Sequence, residues 1–337
     1  MLLALSTRTR QSGEKNYAGK NQVEALVFAD RVGNELLPLT QDIPVPLLPV
    51  NGKPLIEHTF DDLAEADIRS IMLVVDGRQA GLIEQRLGQG DRWGLDLRYV
   101  RAHSGETPTQ LARRVAGNLP EKFLAMRGDV YRSGSIRNFR SAANNVLATQ
   151  VMAQINGRCA QLCLCRQRDL QLELLAWDPS RQAANSNWRT VDVGNAEFSQ
   201  LFDTTEFYLA NIDGLDRRVT ELNAAANHAG RDYFAAPDSR LRPRVVRDGP
   251  VLIGAGCEIA DDAQLVGPIV LGDEVSVGEG SFLHACVVLP GTHIPAGISL
   301  HNAVVTSEMA IGIGGNVICR FADALEQAAD KNASLLA

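Results

Sequence analysis

Gly128-Asp129 closes an apolar run, Phe123-Leu-Ala-Met-Arg, that reads as a buried strand. A carboxylate at that end of a strand suits a divalent cation, because Mg2+ takes one or two carboxylates and completes its shell with water and phosphate oxygens. The loop 30–54 follows another apolar run, Val23-Glu-Ala-Leu-Val-Phe-Ala, and holds Arg31, Gly33, Asn34, Glu35, Val45 and Lys53. In parallel sheets, ligands bind outside the carboxyl ends of strands, so this loop is the first place to look for a site. His284, His293 and His301 lie in one C-terminal stretch. A positioned imidazole serves as a general base, but three near one short repeat read first as surface or interface residues. Glu57 and His58 begin a helix and read as facing solvent or a neighbouring helix, and Asp61 and Asp62 as a solvated helix face. Cys159, Cys163 and Cys165 have metal-ligand chemistry, yet Ala160, Leu162 and Leu164 between them make an apolar strand, and no second ligand cluster follows. They read as buried thiols in a reducing compartment.

These residues need a scaffold. The apolar run at 23–29, a helical pattern carrying Leu55, Thr59, Leu63 and Ala66, and Ile71-Met-Leu-Val-Val form a β-loop-α-β unit. Further strands are expected at 95–100 and 123–127, with a helix near 107–118. Residues 170–179 also read as strand-like. Such alternation predicts an α/β domain with a mostly parallel sheet and helices on both faces.

The C-terminal third has a different period. Ile253, Ile259, Leu265, Leu271, Val277, Leu283 and Leu289 recur every six residues, each preceded two positions earlier by Val251, Cys257, Ala263, Ile269, Val275, Ser281 and Val287. Six fits neither a helix nor an alternating strand. It fits a triangular parallel solenoid, in which each six-residue unit supplies a short strand and a corner. The phase slips near 292–297. Val317, Phe321, Leu325 and Ala328 then share one helical face, so a C-terminal helix is expected over 316–330, capping the coil or meeting another subunit. The expected organisation is a flexible leader at 1–21, the α/β domain at 22–235 and the coil at 245–310.

Composition narrows the function. The chain has 337 residues, 45% hydrophobic and 22% charged, with a net charge of −7. An acidic surface disfavours nucleic acid as a partner. No apolar run is long enough to span a membrane, and no secretory signal is read at the N-terminus, so a cytoplasmic location is expected.

The stretch from Phe28-Ala-Asp-Arg-Val-Gly-Asn-Glu-Leu-Leu-Pro-Leu-Thr through Pro44-Val-Pro-Leu-Leu-Pro-Val to Gly52-Lys-Pro resembles the signature of the sugar-1-phosphate nucleotidyltransferases, in particular the mannose-1-phosphate guanylyltransferases. The resemblance runs over about 22–310. It implies a Rossmann-like nucleotidyltransferase domain followed by a left-handed parallel β-helix of hexapeptide repeats. It also implies a reaction in which a sugar 1-phosphate attacks the α-phosphorus of a nucleoside triphosphate and pyrophosphate leaves. By the same resemblance, Gly33, Asn34 and Lys53 fall at nucleotide-binding positions. Asp129 and Asp192, the latter in Val191-Asp-Val-Gly-Asn-Ala-Glu, fall at the Mg2+ positions.

The motif also departs from the family. Its adjacent glycines are Asp30 and Arg31 here, its Arg is Glu35, and the Lys of its P-K-P is Val45. The Glu-Lys-Pro and Asn-Ala-Gly segments that read the sugar have no counterpart between Val130 and Asp192. Glu35 reverses a charge beside a triphosphate. A unit pair at about 4 Å is worth roughly 4 kcal/mol at an effective dielectric near 20. Arg31 offers one positive charge from a new position. The expectation is therefore a degenerate member, non-catalytic or regulatory, that binds Mg2+ weakly and meets a nucleotide or nucleotide sugar. It is expected to assemble as a homo-oligomer or with an active paralogue. The alternatives are an active, divergent nucleotidyltransferase using Arg31, and a β-helix acyltransferase.

Overall fold

The computed structural model describes residues 23–177, 188–194, 196–226, 228 and 231–322. The leader expected at 1–21 lies outside the described residues.

The front domain is built on seven strands: β1 (Ala25–Ala29), β2 (Ser70–Asp76), β3 (Asp96–Ala102), β4 (Lys122–Arg127), β5 (Val151–Ile155), β6 (Arg158–Arg166) and β7 (Arg189–Asp192). They lie in the order β7-β5-β6-β4-β1-β2-β3. β1 runs parallel to both neighbours, β2 and β4, and β3 runs parallel to β2. β7 is parallel to β5, while β6 is antiparallel to both β4 and β5. This is the mixed, mostly parallel α/β sheet expected.

All five residues of β1 are buried, as a strand covered on both faces requires. Alternation sends Ala25, Val27 and Ala29 to one face, where Ile56, Phe60 and Leu63 of α1 (Leu55–Glu65) cover them. Helices α2 (Ala80–Leu87) and α4 (Ile136–Asn144) extend this layer through Ile83 and Phe139. Leu26 and Phe28 face the opposite side, against Leu111 and Ala112 of α3 (Pro108–Arg114). α3 starts where Thr107 and Gln110 form a reciprocal capping box, which satisfies two otherwise orphaned N–H groups.

Residues 170–179 differ from the strand expected. Glu173–Leu175 is a single 3-10 turn that buries Leu172 and Leu175 against the α3 side of the sheet. Residues 178 and 179 lie outside the described residues.

In the C-terminal part, short strands stack in parallel with partners 18 residues apart: Val251 on Ile269, Glu258 on Ser276, and Gln264 on Phe282. Three six-residue units make that step. Ile253, Leu265, Leu271 and Leu283 are fully buried in one continuous cluster. The stack is compatible with a three-faced parallel β-helix.

The phase slip falls earlier than expected. It sits at Ala285, whose φ is 53°. Beyond it partners are 17 residues apart, as Val270 on Val287, Leu271 on Val288 and Ser276 on His293. Losing one residue turns the strand over. Cys286 and Val288 therefore face the coil interior, where the six-residue series had placed Val287 and Leu289. Val287 and Leu289 instead join Leu252, Val270 and Val304 on an outer face.

That outer face joins the two parts of the molecule. It packs with Phe207 and Tyr208 of α5 (Thr204–Ile212) and with Leu36, Val45 and Leu48 of the loop after β1. The Tyr208 hydroxyl donates to the Ala285 carbonyl at 3.2 Å. α6 (Leu215–Ala225) follows α5 and packs Leu215 and Val219 into the same cluster.

The expected C-terminal helix is corrected over its first part. Met309–Gly312 folds back antiparallel on 303–305, and Val317–Arg320 pairs antiparallel with Met309, Ala310 and Ile311. Extended pairing wins because an edge strand of the last turn is there to receive it. Only Phe321 and Ala322 are helical, and residues 323–330 lie outside the described residues.

Candidate functional site

β1 and β4 are neighbours in the sheet, so the residues that follow them share one end of it. Gly128 is required at the turn after β4: an added Cβ would overlap Ile56 Cδ1 and Val27 Cγ1. Asp129 comes next and is completely buried. Its Oδ1 accepts from Arg127 Nε at 2.6 Å. Its Oδ2 accepts from a second Arg127 nitrogen and from the Arg31 backbone N–H at 3.0 Å. Arg127 also donates to Asp30 Oδ1 and to the Leu175 carbonyl, both at 2.9 Å. That carbonyl is delivered by the 3-10 turn described above.

Arg31 is equally committed. It ion-pairs with Glu35, four residues on in the same loop. It donates to the carbonyls of Gln200, at 2.9 Å, and Leu201. Its guanidinium lies 3.5 Å from the centre of the Trp177 ring, which also sits 5.7 Å from Arg127. The result is a cluster in which two buried guanidiniums and the buried Asp129 carboxylate are joined by the more exposed carboxylates of Asp30 and Glu35, with the Trp177 indole against Arg31. Burial lowers the Arg31 pKa, with Asp129 and Glu35 opposing. Burial would also lower that of Arg127, but Asp129 and Asp30 outweigh it and hold the guanidinium above its usual range. Burial raises the Asp30 carboxyl, although Arg127 pulls it down.

The remaining loop residues serve packing. Gly33 has φ 82°, and a Cβ there would overlap Val45 Cγ2. Val45, at the family's lysine position, is fully buried beside Leu36 and Leu39. The Thr40 hydroxyl donates to the Gly33 carbonyl at 2.7 Å. Asn34 is exposed at the start of a 3-10 turn. Lys53 ion-pairs with Asp61 of α1.

Asp192 ends β7, exposed, with its Oδ1 accepting the Gly194 N–H at 2.9 Å. β7 is three strand positions from β4, or about 14 Å at roughly 4.8 Å per step. Asp129 and Asp192 therefore do not converge. Among the described residues no group of three His, Cys, Asp or Glu side chains could hold a metal ion. A carboxylate sealed by a bidentate arginine does not fit Mg2+, which needs open positions for water and phosphate.

The histidines of the coil offer no acid–base pair. The rings of His284 and His301 are 5.7 Å apart on adjacent strands, and His293 Nδ1 lies 2.6 Å from Ser276 Oγ. None of the three has a carboxylate partner among the described residues. All six cysteines are free thiols, and Cys163 and Cys165 are buried.

Arg127 was not singled out in the sequence, although a signal existed. It is an arginine at the end of a wholly apolar strand run, and arginine is almost never fully buried without a partner. Trp177 gave no such signal, since only the turn at 173–175 carries it over the cluster. Two cavities lie elsewhere, of about 470 and 420 Å³, and Lys53 lines both. Neither is lined by Arg31, Gly33 or Asp129.

An α/β domain of this kind presents the loop after β1 and the Gly-Asp after β4 together at the carboxyl end of its sheet, where such sheets bind ligands. Residues 24–150 match the nucleotidyl transferase family. Over 82% of this chain and 82% of its own length, the mannose-1-phosphate guanylyltransferase of Mycobacterium tuberculosis is 24% identical. The N-acetylmuramate alpha-1-phosphate uridylyltransferase of Neisseria meningitidis serogroup B is 35% identical over 32% of this chain and 47% of its own. The mannose-1-phosphate guanylyltransferase catalytic subunit beta of Drosophila pseudoobscura is 28% identical, over 35% of this chain and 33% of its own. The chain is thus similar to the nucleotidyl transferase family over residues 24–150, and to a mannose-1-phosphate guanylyltransferase over most of its length. Among the described residues no helix is long and apolar enough to cross a membrane.

Proposed function

We propose that this protein is a non-catalytic, regulatory member of its family, acting in nucleotide-sugar and polysaccharide biosynthesis. The observation that carries this reading is the Arg127–Asp129 pair. The carboxylate at the family's metal position is held on both oxygens by a buried guanidinium, and the Arg31 that replaces a loop glycine is held by Glu35 and two carbonyls. Opening either would leave buried charges unpaired, which costs several kcal/mol per ion. The filled space at Val45 and the separation of Asp192 from Asp129 support the same reading. We read the C-terminal stack as a left-handed β-helix of hexapeptide repeats. The partner is a second copy or a catalytically active paralogue, and the expected place of work is the cytoplasm.

The test is pyrophosphate release from GTP, dTTP or UTP with Mg2+ and mannose 1-phosphate or glucose 1-phosphate, alongside calorimetric titration of each triphosphate. No turnover and no micromolar binding are expected. Pyrophosphate release that disappears in Asp129→Asn would replace this reading with that of an active, divergent nucleotidyltransferase.

A further inference from the structure

One outer face of the coil carries ligand chemistry that the front domain does not use. His284 and His301 sit in the strands Phe282–Val288 and Ser299–Val305, on neighbouring turns. These strands pair in parallel, and the register sets His284 directly opposite His301. Leu283 and Leu300, one position earlier, are opposite each other too and are buried in the coil. Alternation therefore sends both histidines outward, His284 half-buried and His301 exposed. Paired residues flank them on both sides, Phe282 with Ser299 and Cys286 with Ala303. The two backbones are thus held one strand spacing apart, about 4.8 Å.

That spacing suits a shared metal ion. An imidazole nitrogen binds Zn2+ at about 2.0–2.1 Å, so two on one tetrahedral ion stand roughly 3.4 Å apart. The ring centres of His284 and His301 are 5.7 Å apart, with an interplanar angle of 67°. Nitrogens turned toward each other across that gap come into this range. The Ser299 hydroxyl lies 3.3 Å from His301 Nε2. By accepting from Nε2–H it leaves the lone pair on Nδ1 and fixes the tautomer, as outer partners do for metal-bound histidines. The Phe282 ring, 5.2 Å from that of His301, borders the pair. Asp248 shares the column but stands two rungs from His284, beyond Val266, or about 10 Å away. Among the described residues no third His, Cys, Asp or Glu completes a cluster, so water would fill the other positions of an ion. Imidazole ligands suit Zn2+, Ni2+ and Cu2+, whereas Mg2+ takes oxygen.

We propose that His284 and His301 form a two-imidazole site for a divalent transition-metal ion, which clips together the last two parallel turns of the coil. The site shares no residue with the buried cluster at Asp129, and its nitrogen ligands select a different class of ion. The two histidines are 17 residues apart in the chain and meet through the register of the folded coil. An ion that binds the folded coil in preference to the unfolded chain stabilises it by mass action.

Calorimetric titration of the full chain with Zn2+, repeated in the presence of Mg2+, tests this together with electron paramagnetic resonance of the Cu2+ complex. Zn2+ should bind with micromolar affinity and raise the thermal unfolding midpoint, and Mg2+ should not compete. His284→Gln and His301→Gln alter side chains on the outer face, and circular dichroism of the metal-free variants checks their folds. Each should weaken Zn2+ binding about tenfold, which corresponds to about 1.4 kcal/mol, and remove most of the rise in midpoint. Each should also reduce the nitrogen couplings in the Cu2+ spectrum. His293→Gln is the control, because His293 pairs with Ser276 in a different sheet of the coil, and it should change none of these readings. Zn2+ binding untouched by both His284→Gln and His301→Gln would overturn the assignment. So would an equal loss in His293→Gln, or the absence of micromolar binding. Neither phosphate binding nor pyrophosphate release enters these readings, so this site and the regulatory reading fail separately.

Discussion

Two groups of charged side chains in the front domain have opposite characters. At the end of β1 and β4, Arg31, Arg127, Asp30, Asp129 and Glu35 are paired with one another, and Trp177 lies against the two guanidiniums. At the start of α6, Arg218 has no ion pair among the described residues and lines an open cavity with Lys53 and Arg217. The family signature marks the first group, yet that group has spent its charges internally. A motif locates where an ancestral site would lie. Which charges remain available is decided by partners that arrive from distant parts of the chain.

The contrast can be broken most sharply at Arg127. Arg127→Ala strands Asp129 and Asp30 without their cation, and should cost about 3–5 kcal/mol in urea unfolding. A loss below about 1 kcal/mol would mean that the cluster is loose and the carboxylate available after all.

His58 tests the open region through pH. Its folded pKa, about 3, lies below the unfolded value of 6.5. The unfolded chain therefore takes the proton first as pH falls. The stability that His58 contributes is complete above about pH 6.5 and drains away between 6.5 and 3. At about 1.36 kcal/mol per unit, the loss by pH 4 is about 3 kcal/mol. Asp30, Glu57 and Asp62, raised by burial, act with the opposite sign. The check is thus the difference between wild type and His58→Gln across pH 4–6.5, where the variant should show the shallower decline. Identical curves would show that the folded ring accepts a proton as readily as the unfolded one.

Gly33→Ala probes whether the loop is packed rather than open. Its positive φ and the overlap with Val45 should cost about 1–3 kcal/mol. A neutral result would restore room for a phosphate. The smallest effect is expected at Arg217→Ala, whose pairs with Glu197 and Glu221 are largely exposed. Such pairs contribute less than about 1 kcal/mol, and a larger loss would erase the distinction between the two regions.

Much of the fold was legible because it follows from local periodicity. The run 25–29 could only be a strand buried on both faces, and a six-residue period could only be a coil. What escaped was non-local or a matter of a single residue. The one-residue shortening at Ala285 lies inside an apolar stretch, Ala285-Cys-Val-Val-Leu, where every register looks equally apolar. Asp192 matched its motif locally, but the antiparallel β6, with β5 beyond it, stands between its strand and β4. Arg127 and Glu35 were visible as residues, whereas the pairings that commit them depend on the sheet order and the turn at 173–175.

The end of the coil has a consequence for how such chains vary in length. Each turn adds 17 or 18 residues and one more rung, about 4.8 Å of height. The reversal at 309–312 closes the stack on the rung beneath it and also meets α5, where Thr205 donates to the Ile313 carbonyl at 2.8 Å. Whole turns inserted ahead of Ser299 would keep the inner and outer columns in register but carry the closing strands one rung away from α5. Insertions of any other size would rotate the outer column of Leu252, Val270, Val287 and Val304 away from α5. Length in this part of the molecule is quantised, with the turn as its unit.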